Sequence, residues 1–148
     1  MFKEKVTSKY YIKSSPWPDL DVAIRYIKSH KEDYSGEWLN IDNTKVEEDI
    51  RKDLNNVWTK PLYRLIAIDA EEDFDENSIG IYWTYNKDRA KAYWGEGKVK
   101  ILLTAKVIES DIDWMATVEQ HLKIKYSGED EVRLLEKAKP RILKKEYL

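Results

Sequence analysis

A chain of 148 residues fits one domain and is long enough to bury a real core. Its 26 Lys+Arg against 28 Asp+Glu leave a net charge of −2, so nucleic acid and anionic membrane exert no overall pull, and the absence of cysteine excludes disulfides, thiolate nucleophiles and Cys-ligated zinc or iron–sulfur centres. The opening residues, MFKEKVTSKYYIKSS, lack the apolar run of a signal peptide, and nowhere do ~18 consecutive apolar residues offer a membrane span, which sets the expectation of a cytoplasmic protein with neither membrane nor nucleic-acid partner.

Residues 19–30, DLDVAIRYIKSH, set Leu20, Ala23, Ile24 and Ile27 on one stripe at helical spacing behind Pro16 and Pro18, and predict an amphipathic helix. Residues 31–43 read as a polar loop. Thr44 and Glu47 have the spacing of a capping box and open a second helix carrying Val46, Ile50, Leu54 and Val57. The first 58 residues are therefore expected to be mainly helical. From Pro61 the period changes: PLYRLIAID is a nearly continuous apolar run around one cation, the pattern of a strand buried on both faces. IGIYWTY follows as a second strand, and Asn86 caps a short helix, NKDRAKAYWG, that Gly95 can end. KVKILLTAKV alternates, with Val99, Ile101, Leu103, Ala105 and Val107 on one side, and is a strand. HLKIKY, EVRLL and PRILKKEYL are further short strands. Helices first, then strands with one or two helices, make the fold class α+β in a single domain over 1–148, mainly helical over 1–58 and mainly β over 61–148.

Few residues carry chemistry on their own pattern. His30 and His121 have no third ligand nearby in sequence. The acidic run DAEEDFDEN, 69–77, lacks the glycine and glutamate positions of a calcium loop, and no glycine spacing makes a phosphate loop, so no metal is expected. Six Trp and ten Tyr in so polar a chain leave rings available to a ligand surface. Arg64, alone inside LYRLIAI, would cost several kcal/mol if buried without an anion, so the fold must supply a partner or open a cleft there. Glu131 abuts Val132, Leu134 and Leu135 at the mouth of a strand. Glu129, two residues before it, falls on the same face about 7 Å away in extended chain, where two carboxylates can divide a job. Asp130 between them reads as turn and solvent.

In chain order, Tyr63-Arg64 on one strand, Tyr82-Trp83-Thr84 ending the next before a helix with Ala90, and Glu129-x-Glu131 opening a later strand make the chain resemble the ADP-ribosyltransferase fold family. Within it the likeness is to the arginine–serine–glutamate class, and runs over about residues 44–135. The resemblance implies a mixed or antiparallel two-sheet β core behind the N-terminal helices. It implies that Arg64, beside Tyr63, contacts NAD phosphate and supports the ribose, and that Tyr82, Trp83 and Thr84 fall on the Ser-Thr-Ser triplet, with Tyr82 where serine is usual. Leu65 stands where many members carry Gly. Glu131 falls on the catalytic glutamate, and Glu129 on the residue that, as Glu, goes with arginine acceptors. Tyr85, Tyr93 and Trp94 are the rings expected against nicotinamide. The implied activity is NAD-dependent mono-ADP-ribosyl transfer to a protein side chain, arginine first among them, with NAD as substrate, no metal, and a small phage- or toxin-type effector at work in a host cytoplasm. The alternatives are a catalytically degenerate binding or inhibitor protein on the same fold, and an NAD glycohydrolase.

Overall fold

The computed structural model of the protein describes residues 19–34, 36, 38–92, 97–123 and 130–148. Helix α1 (Leu20–Ser29) starts where Asp19 accepts a hydrogen bond from the Val22 amide at 2.9 Å, and it buries the predicted stripe of Ala23, Ile24 and Ile27. Helix α2 (Thr44–Leu54) is capped by Asn43, whose side chain accepts from the Val46 amide at 3.1 Å. This corrects the capping box predicted at Thr44: Asn is the better cap, so Thr44 becomes the first helical residue. Glu47 turns instead to Lys28 and Arg51, at 2.7 and 3.0 Å, and ties α2 to α1. The loop between these helices is not wholly polar. A 3-10 turn at Lys31–Tyr34 buries Tyr34, whose hydroxyl donates to Glu119 at 3.3 Å.

Strands β1 (Leu62–Ile68), β2 (Tyr82–Thr84), β3 (Val99–Lys106), β4 (Glu131–Arg133) and β5 (Arg141–Tyr147) form one antiparallel sheet in the order β4-β2-β1-β3-β5. The architecture is thus α+β as expected, but the described strands join a single sheet rather than the two expected. The reason lies in the pairing: β1 runs against β3 from Leu62↔Ala105 to Ile68↔Val99, β5 pairs with β3, and β2 is flanked by β1 and β4, so every described strand has a neighbour in the same sheet. Gly97 lets the chain enter β3 close to β1, since a Cβ there would lie 2.7 Å from the Ile68 amide nitrogen.

β1 is apolar on both faces, as its sequence predicts. Leu62, Ile66 and Ile68 join Ile101, Leu103 and Ala105 in the main core under α1 and α2, while Leu65 and Leu102 meet Ala90 on the other side. Ala90 belongs to α3 (Lys87–Lys91), capped as predicted by Asn86, which accepts from the Asp88 and Arg89 amides at 3.1 and 3.3 Å. Gly95 lies outside the described residues.

Helix α4 (Trp114–Leu122) has no counterpart in the sequence reading. It opens at Asp113, whose side chain accepts from the Ala116 amide at 3.0 Å, and buries Trp114, Met115, Ala116, Thr117, Val118 and Leu122. Burying Met115, Val118 and Leu122 stabilises the core by about 1.5–3 kcal/mol each. The strand expected over HLKIKY is corrected at its start: His121 and Leu122 continue α4, Lys123 makes an isolated bridge to Leu39, and residues 124–126 lie outside the described residues. Among the described residues no helix is long and apolar enough to cross a membrane.

Candidate functional site

β2 pairs with β4 along its whole length, through Tyr82↔Arg133, Trp83↔Val132 and Thr84↔Glu131, but it meets β1 at the single pair Tyr63↔Thr84. The next pairs in that register, Arg64 opposite Trp83 and Leu65 opposite Tyr82, do not form, so β1 and β2 part like a fork. Arg64 sits at the fork: its Nη1 donates to the Tyr82 carbonyl oxygen at 2.7 Å. A guanidinium thus satisfies a carbonyl that a backbone amide serves in a closed ladder. The fold thus supplies a hydrogen-bond partner for the cation inside this apolar strand.

Residues directly opposite one another in a ladder share a face, so Tyr63, Thr84 and Glu131 form one row across β1, β2 and β4. Successive strand residues alternate, so Tyr82 and Arg133 lie on that same face. The Glu131 carboxylate, 17% exposed, is 2.9 Å from the guanidinium of Arg133, which is only 2% exposed. Arg133 in turn lies 4.1 Å from the centre of the Tyr82 ring. Tyr82 thus covers the guanidinium that Glu131 pairs with. Helix α4 fixes the strand from behind: the Arg133 amide donates to the Thr117 hydroxyl at 3.0 Å, and the Arg133 carbonyl accepts from the Asp113 amide at 2.9 Å. His121 Nε2 donates to the Glu131 carbonyl at 2.8 Å.

Asp130 is not a solvated turn residue. Its backbone is left-handed, with φ 53°, and its carbonyl accepts from the Thr84 hydroxyl at 2.9 Å and the Tyr85 amide at 3.1 Å. One carboxylate oxygen accepts from the Tyr85 hydroxyl at 2.9 Å; the other accepts from the Asn86 side-chain amide at 2.9 Å and lies 3.4 Å from Arg89 Nε. Burial, reinforced by the Asp130 carboxylate, pushes the Tyr85 hydroxyl far above its ordinary range, so it remains a donor. The Tyr85 ring lies nearly parallel to His121 at 6.4 Å, and Lys60 Nζ sits 5.9 Å from its centre.

Tyr63, Thr84, Tyr85 and Glu131 are thus gathered about the C-terminal end of β2, with Tyr82 at its other end beside Arg133. Arg64 leaves β1 on the face of Leu62 and Ile66, and reaches the group through the Tyr82 carbonyl at the fork. Trp83 faces the main core, 2% exposed, with its indole N–H donating to the Gly80 carbonyl at 3.1 Å. Glu129, Tyr93 and Trp94 lie outside the described residues. Arg133 was legible in the sequence, since it is a second lone cation in an apolar strand, EVRLL, with Glu131 two residues away on the same face. Asp130 and His121 act through tertiary contacts that carry no such signal.

Two other features stand apart from this row. A cleft of about 340 Å³ between the start of α1 and the end of α2 is lined by Asp21, Arg51, Asn55, Trp58 and Glu109 among others, and by none of the row's residues. In the acidic run, Asp73 and Asp75 accept from the amides of Ala70 and Asn77 and so close local turns. Among the described residues no three His, Cys, Asp or Glu side chains gather to hold a metal ion.

The row's chemistry follows from its charges. A carboxylate held between water and a buried guanidinium keeps its direction, so it can stabilise a cation that forms in front of it. Beside it, the Thr84 hydroxyl is fixed by donating to the Asp130 carbonyl at 2.9 Å and accepting from the Asn86 amide at 3.0 Å. No protein-family model, curated protein or solved structure matches this chain.

Proposed function

We propose that this protein is an NAD-dependent mono-ADP-ribosyltransferase, which cleaves the nicotinamide–ribose bond and transfers ADP-ribose to a protein side chain, arginine first among candidates. The observation that carries the proposal is the adjacency of the three strands: β2 lies between β1 and β4, with Thr84 opposite both Tyr63 and Glu131. Three segments far apart in sequence, those on which the resemblance rests, meet at one place.

As the C–N bond to nicotinamide breaks, its electron pair leaves with the ring nitrogen and positive charge spreads over the ribose C1′ and ring oxygen. Glu131 would accept a hydrogen bond from the ribose 2′-hydroxyl and face that charge. A donor or charge fixed for the transition state in this way is worth roughly 2.7–4 kcal/mol. Arg133 keeps Glu131 aimed, and Tyr82 covers Arg133. Arg64 would bring positive charge to the pyrophosphate at the fork, and Glu129 would orient the acceptor guanidinium and take its proton as its nitrogen attacks C1′.

A non-catalytic binding protein of the same fold could also keep the Arg133–Glu131 pair, as a purely structural tie. Nicotinamide release from NAD, followed by chromatography for the wild type and Glu131→Gln, separates the two. Release that falls at least a hundredfold in the variant supports catalysis; a wild type that releases nothing removes both the transferase and the glycohydrolase.

A further inference from the structure

Asp130, the residue just before β4, is gripped by more than the ladder that follows it. Thr84, Tyr85, Asn86 and Arg89, all from the junction of β2 and α3, converge on the single residue Asp130. Its left-handed backbone, φ 53°, is a conformation that Asp tolerates better than most residues with a Cβ. In that conformation the carbonyl turns back to accept from the Thr84 hydroxyl and Tyr85 amide while the carboxylate collects the Tyr85 hydroxyl and the Asn86 amide. Asn86 is itself committed, because its side-chain oxygen caps α3. The cluster therefore locks three things to one another: the end of β2, the start of α3 and the first residue before β4.

We propose that Asp130 is a positioning residue for Glu131: by fastening the chain just before β4 to the β2–α3 junction it fixes where the Glu131 backbone, and so its carboxylate, stands relative to Thr84. Arg133 sets the direction of the carboxylate; Asp130 sets the position from which it springs. The proposal rests on the reading of Glu131 as the catalytic carboxylate and adds what holds that carboxylate in register. A misplacement of ~1 Å in such a group can lower the rate on the order of a hundredfold without touching the substrate itself.

Two substitutions at this position separate positioning from folding. Asp130→Gly keeps the left-handed backbone at no steric cost and removes every side-chain contact, while Asp130→Asn keeps the shape and the ability to hydrogen-bond with Tyr85 and Asn86. With nicotinamide release measured well below each variant's melting temperature, Asp130→Gly is expected to lower kcat roughly 10–100-fold and leave KM for NAD within about threefold, and Asp130→Asn to keep kcat within about fivefold of wild type. Amide exchange at Tyr85, whose N–H donates to the Asp130 carbonyl, should be at least about tenfold faster in Asp130→Gly and near wild type in Asp130→Asn. A wild-type kcat in Asp130→Gly, or unchanged Tyr85 exchange there, overturns the proposal. If the wild type releases no nicotinamide, the transferase reading fails by itself and the exchange result alone decides whether Asp130 holds the chain just before β4.

Discussion

The ion pair between Glu131 and Arg133 is asymmetric, and its two halves should break differently. Arg133 is 2% exposed and Glu131 17% exposed, so truncating the acid strips a carboxylate from a cation that water hardly reaches, whereas truncating the base leaves an anion that water can partly solvate. Breaking a fully buried pair by removing one partner costs about 3–5 kcal/mol. Solvent at Glu131 reduces that here, to about 2–4 kcal/mol for Glu131→Ala and about 1–2 kcal/mol for Arg133→Met, which keeps the apolar stem. At about 3 °C per kcal/mol for a domain of this size, melting temperatures should fall by roughly 6–12 °C and 3–6 °C. The double variant should recover part of the sum, with a coupling of about 1–3 kcal/mol, because the Glu131–Arg133 pair is then removed whole. Thermal melts monitored by circular dichroism at pH 7 give all four corners of the cycle. Equal losses from the two single variants, or strict additivity in the double, would refute the reasoning that ties Glu131 to a buried Arg133.

Two further outcomes follow from the same structure. Burial pushes the Asp113 carboxyl above its ordinary range, against the opposing pull of the Ala116 amide and Arg133. A carboxyl raised in the folded state costs stability as pH climbs from the unfolded value through the folded one, and the cost disappears at lower pH. Asp113→Asn keeps the helix cap and removes that titration, so it should melt higher than wild type at pH 7 and converge with it below about pH 4, whereas Asp113→Ala should lose about 1 kcal/mol of capping at any pH. A wild-type-minus-Asn difference that does not change with pH would contradict this. At the fork, Arg64→Ala should weaken NAD binding by about tenfold or more in calorimetry, the loss of one charge-assisted contact to phosphate; unchanged affinity would confine Arg64 to its bond with the Tyr82 carbonyl.

The parts of the fold that sequence reveals are those with a period. The stripe of α1, the doubly apolar β1 and the alternation of β3 each state how they are buried, and all three form as read. Helix α4 is the opposite case: WMATV is apolar on nearly every side, so it shows no period, and it is buried on nearly every side for the same reason. HLKIKY alternates like a strand, yet the cap at Asp113 commits His121 and Leu122 to the helix before the alternation begins. Which strands pair is a tertiary fact, and so the single described sheet and the β1–β2 fork could not be read from apolar runs. The site divides likewise. Arg64 announced itself as a cation with no business in an apolar strand, and Arg133 carried the same mark. Asp130, lost in a run of three acids, needed its left-handed backbone and the β2–α3 junction before its charge meant anything.

The proposed activity is transfer of ADP-ribose with Glu131 as the carboxylate that faces the forming cation. Its most direct measurement is incubation of the protein with adenylate-labelled NAD and an arginine-rich polypeptide, counting label on the polypeptide for wild type and Glu131→Gln. The account predicts covalent label with the wild type that falls at least about a hundredfold in the variant. Equal labelling by the two proteins, or none by a folded wild type, would contradict it.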